Sequence, residues 1–366
     1  MLDSTQEQGD VANPSPDIHA LLEPLVRDVV KQGLTVVIGS GWSTGKGLPS
    51  MGELAAGVVS EVESQSSFGE LSDSDHSIWA EVKSALAEGL DFESALDAIR
   101  TDGPVLLLVE LAIANLLRPR EASAITSIMS GHEGFDDLTR LFNLLSGTGD
   151  AISVVTTNYD RLVEYSARMA GIHVDDSFSG RYVGELDPES SAREQVTSLA
   201  IRRGQPVRRR PHIQLAKPHG SLDWVKLADE RVIRTESALR GRTQIVGPGL
   251  SKLQRGYEIV FETHRNKANN AVQKATALLF IGYGFNDSHL QQHIDRALSA
   301  GKPALLLTKD LTDASRQYIE KFERLTALCN SSTPGCTSVW SKNTESVVEL
   351  PLAWSLDQFL TEIHKI

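Results

Sequence analysis

Four stretches of this sequence place glycines and short polar side chains directly after an apolar, β-branched run. Leu34-Thr-Val-Val-Ile38 leads into Gly39-Ser-Gly-Trp-Ser-Thr-Gly45-Lys-Gly, and Ala151-Ile-Ser-Val-Val155 into Thr156-Thr-Asn-Tyr-Asp160. His212–Lys217 leads into Pro218-His-Gly-Ser, and Ala277–Ile281 into Gly282-Tyr-Gly-Phe-Asn-Asp287. Each set has an ordinary structural explanation: Asn158, Asp160 and Asn286-Asp287 are good helix caps, His219 could be a satisfied core histidine, and the glycines could serve turns. Together they read as a site. Glycines after a parallel strand let backbone N–H groups approach a phosphate at a helix N-terminus. His219 has a side chain that can take a proton near neutral pH, Asn158 has an amide that can donate and accept, and Asp160 adds a supporting carboxylate.

Two familiar nucleotide motifs do not fit. A P-loop requires four residues between its first glycine and Gly-Lys. Here Gly39 leaves five before Gly45-Lys46, Gly41 leaves three, and Gly47 follows the lysine. The dehydrogenase fingerprint fails at its third glycine, where Thr44 stands, and Glu61 lies in a predicted helix rather than at the end of a second strand.

The elements that must carry these segments alternate between short strands and helices. Strands are predicted at 34–38, 151–155, 212–217, 244–246, 277–281 and 304–308, and a helix SHLQQHIDRALSA links the last two. A further helix after Asp310 has Leu311, Ala314, Tyr318, Ile319, Phe322 and Leu325 on its apolar stripe, and 355–366 forms a last one. This pattern predicts an α/β fold: a Rossmann-like parallel sheet with helices on both faces. Helical periodicity without strand alternation dominates 55–146, an all-helical insertion or subdomain. The expected organisation is a disordered arm over 1–17, the sheet domain over 18–54 and 147–366, and the insertion between. Ligands of such sheets bind outside the carboxyl ends of the strands.

Composition narrows the classes. The chain has 366 residues and a net charge of −12, with ten acidic and two basic residues between Glu61 and Arg100. That disfavours a dedicated nucleic-acid binder, which needs an excess of Lys and Arg. The stretch Arg202, Arg203, Arg208, Arg209, Arg210 and Lys217 reads as an exposed loop of solvated arginines, with docking onto an acidic subunit face or contact with nucleic acid as the functional alternatives. It has no aromatic residue for base stacking. Two cysteines, Cys329 and Cys336, can build neither a disulfide framework nor a four-thiolate zinc site. No apolar window suggests a membrane span and the N-terminus has no signal-peptide pattern, so a cytoplasmic location is expected.

The ordered set of segments resembles the sirtuin family. Gly39-Ser-Gly-Trp-Ser43 with Gly47-Leu-Pro49 resembles its first NAD-binding loop, and Thr156–Asp160 its nicotinamide- and ribose-contacting segment. His219-Gly220 resembles the catalytic His-Gly, and Gly282–Asp287 the second glycine-containing NAD loop. Thr308 stands near the adenosine-ribose contact. The chain departs from deacylating sirtuins in lacking two zinc-binding cysteine pairs, in Ser50-Met51-Gly52 after Pro49, in Thr157 for the usual Gln, and in the helical insertion.

Those departures resemble the bacterial sirtuin-like subfamily of anti-phage NAD hydrolases, and the length resembles the stand-alone subunit that pairs with a HerA-type hexameric ATPase. The resemblance implies an NAD+ glycohydrolase with catalytic Asn158, His219 and Asp160, and NAD contacts at Gly39, Ser40, Gly41, Ser43, Thr157, Gly282, Gly284, Asn286, Asp287 and Thr308. It implies no metal, NAD+ as substrate rather than resident cofactor, and a homo-oligomer. An NAD-dependent deacylase and a non-catalytic NAD or ADP-ribose sensor are the rivals. Trp42 and Trp224 flank the expected pocket, as core packing or as nicotinamide stackers.

Overall fold

A computed structural model describes residues 18–90, 92–96, 99, 103–147, 151–198, 208–229, 231–236, 242–245, 259–342 and 344–365. The N-terminal arm, Arg202, Arg203 and Val246 lie outside these residues.

The strands are β1 Leu34–Ile38, β2 Ala151–Thr156, β3 His173–Asp175, β4 Phe178–Ser179, β5 Gly184–Leu186, β6 Val196–Ser198, β7 Arg208–Arg209 and β8 His212–Ala216. They continue as β9 Gly220–Lys226, β10 Val232–Arg234, β11 Arg242–Ile245, β12 Ala277–Ile281, β13 Ala304–Leu307, β14 Leu325–Asn330, β15 Thr337–Ser341 and β16 Thr344–Val348. Nine form the central sheet in the order β16-β15-β14-β13-β12-β1-β2-β8-β3. Every pairing from β14 to β3 is parallel, and β15 and β16 extend the β14 edge antiparallel.

β1 is central because all five of its residues are apolar or β-branched and buried, as a strand covered on both faces requires. Its alternation divides the core. Val36 and Ile38 point into one apolar cluster and Val37 into the other. The first cluster contains the helices that fill the chain between β1 and β2, at Met51–Ser64, Asp73–Ala87, Phe92–Leu96, Pro104–Met129 and Asp137–Ser146. Local signals start several of them: Ser50 with Glu53 and Ser72 with Asp75 form reciprocal capping boxes, and Pro104 occupies the first turn after Gly103. Leu54, Val58, Val109, Ile113 and Leu141 share one core with Val36 and Ile38. The helical segment is therefore seated on the sheet. The second cluster packs helices Ile259–Lys274, Ser288–Ser299 and Asp313–Lys321 on the opposite face.

Three expectations about elements need correction. The strand expected at 244–246 is β11, which pairs antiparallel with β9 in a second sheet of order β11-β9-β10-β5-β4. That sheet escaped the sequence reading because its other members are mostly two or three residues long, too short for a period to register. The polar-looking stretch after Pro218 is itself a strand, β9, with Leu222 and Trp224 buried. Leu325 is not on the helix after Asp310. That helix ends at Lys321, and Leu325 opens β14, whose short apolar run is compatible with either state until the sheet claims it.

β1 and β12 meet at the point where the strand order reverses, and glycines make the meeting possible. A Cβ at Gly282 would lie 2.2 Å from the Trp42 nitrogen, and Gly282 has φ of +57°. Gly282→Ala is expected to lower unfolding stability by more than about 2 kcal/mol, from left-handed strain plus a clash with backbone. Gly52→Ala, in the helix Met51–Ser64 with nothing within 4 Å of the added carbon, should be neutral or stabilising by up to about 1 kcal/mol. Urea denaturation midpoints of the two variants check the contrast.

Candidate functional site

Because the strands are parallel, their carboxyl ends share one edge of the sheet. The loops singled out from sequence leave β12, β1, β2 and β8, four neighbours in that order, with Thr308 one strand further along, after β13. The register pairs Val155 with Ala216, so Asn158 and His219 each lie three residues beyond a matched position on adjacent strands. The site spans the reversal in strand order, where open α/β sheets bind their ligands.

The first and fourth loops touch backbone to backbone. Gly39 N–H donates to the Ile281 carbonyl and Gly41 N–H to the Gly282 carbonyl, both at 3.0 Å, while Gly282 N–H donates to Leu307 O at 2.8 Å. A Cβ at Gly39 would lie 2.4 Å from the Gly282 oxygen. These glycines thus have a packing reason to be glycine, and their three N–H groups are engaged within the protein. Ser40 is exposed at the start of the short helix Ser40–Thr44. Gly284 accepts a bond from Thr312 Oγ1 at 2.6 Å, and Asn286 is exposed beside it. Thr308 is half-buried, with Oγ1 donating to the Asp310 carbonyl at 3.0 Å.

The second loop is held from beneath the first. Thr156 Oγ1 donates to the Ile38 carbonyl and accepts from Asn158 N, and Thr157 N–H donates to Ile38 O at 3.3 Å. Asn158 Nδ2 donates to Gly39 O at 3.0 Å and to Ser43 Oγ at 2.8 Å. Ser43 Oγ in turn donates to Asp160 Oδ2 at 2.8 Å. With both amide hydrogens committed, Asn158 has only Oδ1 left to offer, as an acceptor. Asp160 is buried, and its other oxygen accepts from Leu162 N at 3.1 Å, although the N-cap position of the helix Leu162–Met169 is Arg161. Burial raises its carboxyl above the usual range, opposed by Lys217 and Ser43.

His219 ends the third loop with its Nε2 2.8 Å from Asp287 Oδ2, both side chains almost wholly buried. Asp287 also caps the helix Ser288–Ser299 through Leu290 N. Two linked sets stand out among the predicted site residues, Gly39 and Ser43 with Asn158 and Asp160, and His219 with Asp287. A cavity of about 260 Å³ opens beside the second set, lined by Pro218, Asp287 and Leu290 and by Glu262, Arg265 and Asn269 from the helix Ile259–Lys274.

Several supporting residues were missed from sequence. Lys217, read as part of a basic surface stretch, is 1% exposed; its ammonium donates to the Asp160 carbonyl and to Glu164 Oε1 at 2.9 Å. Its backbone N–H donates to His264 Nδ1 at 3.0 Å, and burial lowers the His264 imidazole well below its ordinary value, consistent with a neutral acceptor. Asp137 from the helical segment accepts from Lys46 Nζ at 2.8 Å and Trp42 Nε1 at 3.3 Å, fixing the first loop. Glu121, fully buried, accepts from Arg161 Nε and Nη2 in a two-pronged pair. No local pattern marked Glu121, which follows Arg118-Pro119-Arg120, or Asp137, which follows Asp136 at the start of its helix. Trp42 and Trp224 both pack in cores, Trp224 against Phe178, Phe261 and His264. Arg208 and Arg209 are exposed, as solvated arginines would be.

The fold is that of a Rossmann-type α/β protein, with polar loops gathered at its sheet reversal. Residues 152–326 match the SIR2-like domain family. A search of curated proteins finds no match. Among solved structures, a variant Sir2 homologue in complex with 2′-O-acetyl ADP-ribose is similar at 11% identity and TM-score 0.45, covering 94% of this chain and 96% of that one. A Sir2 homologue–NAD complex is similar at 12% identity and TM-score 0.43, covering 94% of each. Among the described residues no helix is long and apolar enough to cross a membrane, and no three metal-ligating side chains gather at one point.

Burial raises Glu164 to about 7, opposed by Lys217. Between about pH 4.5 and 7 the folded carboxyl keeps a proton that the unfolded chain releases, so this group's contribution to stability falls as pH rises through that window. Glu164→Gln should remove that part of the slope. Urea midpoints of wild type and variant, compared at pH 5 and pH 8, should show the wild type losing more stability across the interval than the variant does.

Proposed function

We propose that this protein is an NAD+ glycohydrolase, releasing nicotinamide and ADP-ribose, and that it serves anti-phage defence by depleting NAD+. The reading includes a cytoplasmic homo-oligomer working with a HerA-type hexameric ATPase. The observation that carries the chemistry is the placement on adjacent strand ends of Asn158, with one free acceptor, and His219, its Nε2 2.8 Å from the Asp287 carboxylate, inside a SIR2-like domain. The two cysteines of the sequence leave no pair of zinc-binding cysteine pairs, which favours hydrolysis over the deacylase rival.

Cleavage passes through an oxocarbenium-like sugar. The bond from the ribose C1′ to nicotinamide breaks with its electron pair leaving on the ring nitrogen, so nicotinamide departs neutral and needs no acid. Water adds to C1′, and its proton passes to His219 as general base. Asn158 Oδ1 accepts from that water or from a ribose hydroxyl and fixes its position. Asp160 acts at one remove, through Ser43. Exposed Ser40 and Asn286, with Gly284, Thr157 and Thr308, lie along the edge where the ADP-ribose half would extend.

The test is nicotinamide release by the purified full chain with NAD+, alone and with the ATPase partner. Release without acyl-lysine supports hydrolysis, release only with acyl-lysine supports the deacylase, and tight binding without release supports a sensor. In the hydrolysing form, His219→Ala and Asn158→Ala should each reduce turnover by roughly 10²–10⁴ while thermal unfolding stays cooperative.

A further inference from the structure

The contact between His219 and Asp287 links the third loop to the fourth at the strand ends. Asp287 Oδ2 lies 2.8 Å from His219 Nε2, with side chains 7% and 11% exposed, so little water screens the pair. The carboxylate is fixed independently of the histidine. Its Oδ1 accepts from Leu290 N, its carbonyl accepts from Gln291 N at 3.0 Å, and it stands at the N-terminus of the twelve-residue helix Ser288–Ser299, where the helix dipole favours a negative charge. The residue two before it is anchored as well. Phe285 takes a left-handed φ of +58° while fully buried, its ring lies 4.5 Å from that of Tyr318, and its carbonyl accepts from Gln291 Nε2.

The carboxylate lies beside the ring at Nε2 without the alignment of a hydrogen bond, so it acts on the imidazole through charge. That charge stabilises the imidazolium that forms when the ring takes a proton. We infer that Asp287 is the positioning residue of His219: its carboxylate lies against the ring at Nε2 and compensates the charge created by proton transfer. This rests on the hydrolase reading and replaces the dinucleotide contact expected of Asp287 from sequence. Other charges face the pair. Glu262 and Arg265 line the same cavity as Asp287, and Lys217, two residues before His219, turns its ammonium to Asp160 and Glu164. All are unchanged by a substitution at position 287, so a difference measurement isolates the carboxylate.

Asp287→Asn is the informative variant, because asparagine caps a helix as well as aspartate does and preserves shape. The His219 imidazole is titrated by NMR in the ligand-free full chain with ¹³C-labelled histidine, its signal assigned by its loss in His219→Gln. The imidazole signal should respond differently to pH in Asp287→Asn and in wild type, as loss of an adjacent opposite charge requires. In the NAD+ assay, kcat should fall by roughly 10²-fold, the lower end of what a positioned base contributes. KM should change by less than about threefold, and the acidic limb of kcat/KM should move to lower pH. Asp287→Glu should restore part of kcat. An unchanged imidazole titration overturns the inference. So does a variant whose KM rises while kcat and the pH profile stay intact, which would make Asp287 a ligand contact. Should the wild type release no nicotinamide under any condition, the hydrolase reading fails, and the NMR titration still decides whether the two residues are coupled.

Discussion

The approach of two backbones at the sheet reversal is the constraint on which the rest depends. Gly41 and Gly282 come from opposite ends of the chain, and their loops interlock with no side chain between them. Any Cβ at Gly39 or Gly282 would occupy space already held by backbone. That packing draws the fourth loop over the first. It also sets the direction of the segment that carries Asp287 toward His219, and it places Ser43 where Asn158 and Asp160 can both reach it.

Beneath the loops lies a layer of buried charge that would be costly if left unpaired. Asp137, Asp160, Glu121 and Lys217 are all nearly inaccessible, and each is compensated by named partners: Lys46 and Trp42, Ser43 and the Leu162 amide, Arg161, and Glu164. Breaking one such pair leaves an uncompensated charge, at a cost of about 3–5 kcal/mol. This makes the layer weak evidence for stability but a strong means of holding one loop arrangement. Two of its members, Glu121 and Asp137, come from the helical segment between β1 and β2. That segment therefore does more than cover the sheet: it anchors the first loop through Trp42 and Lys46, and the second through Arg161.

Much of the central sheet was legible in the chain. The runs at Leu34–Ile38, Ala277–Ile281 and Ala304–Leu307 are short, apolar and followed by glycine or polar clusters, which is what a strand buried on both faces must look like. The second sheet was legible only at β11, because three of its five strands are two or three residues long and have no period. The site was legible as a set of loops but not as a set of contacts. Asn158, Asp160 and His219 could be singled out by type and place. That Asn158 spends both amide hydrogens within the protein, or that Asp287 turns to the histidine, depends on neighbours far away in the chain.

The sequence by itself determined the alternation of strands and helices, the all-helical stretch after the first strand, and the presence of polar turns at four strand ends. These follow from local periodicity and from residue types that tolerate only certain backbone conformations. Tertiary structure decided which turns meet, which N–H groups are consumed, and why Lys217 is a buried tie rather than a surface cation. Burial and partnership are properties of pairs of residues, and most of the pairs here join segments scores to hundreds of positions apart, so no window of sequence contains them.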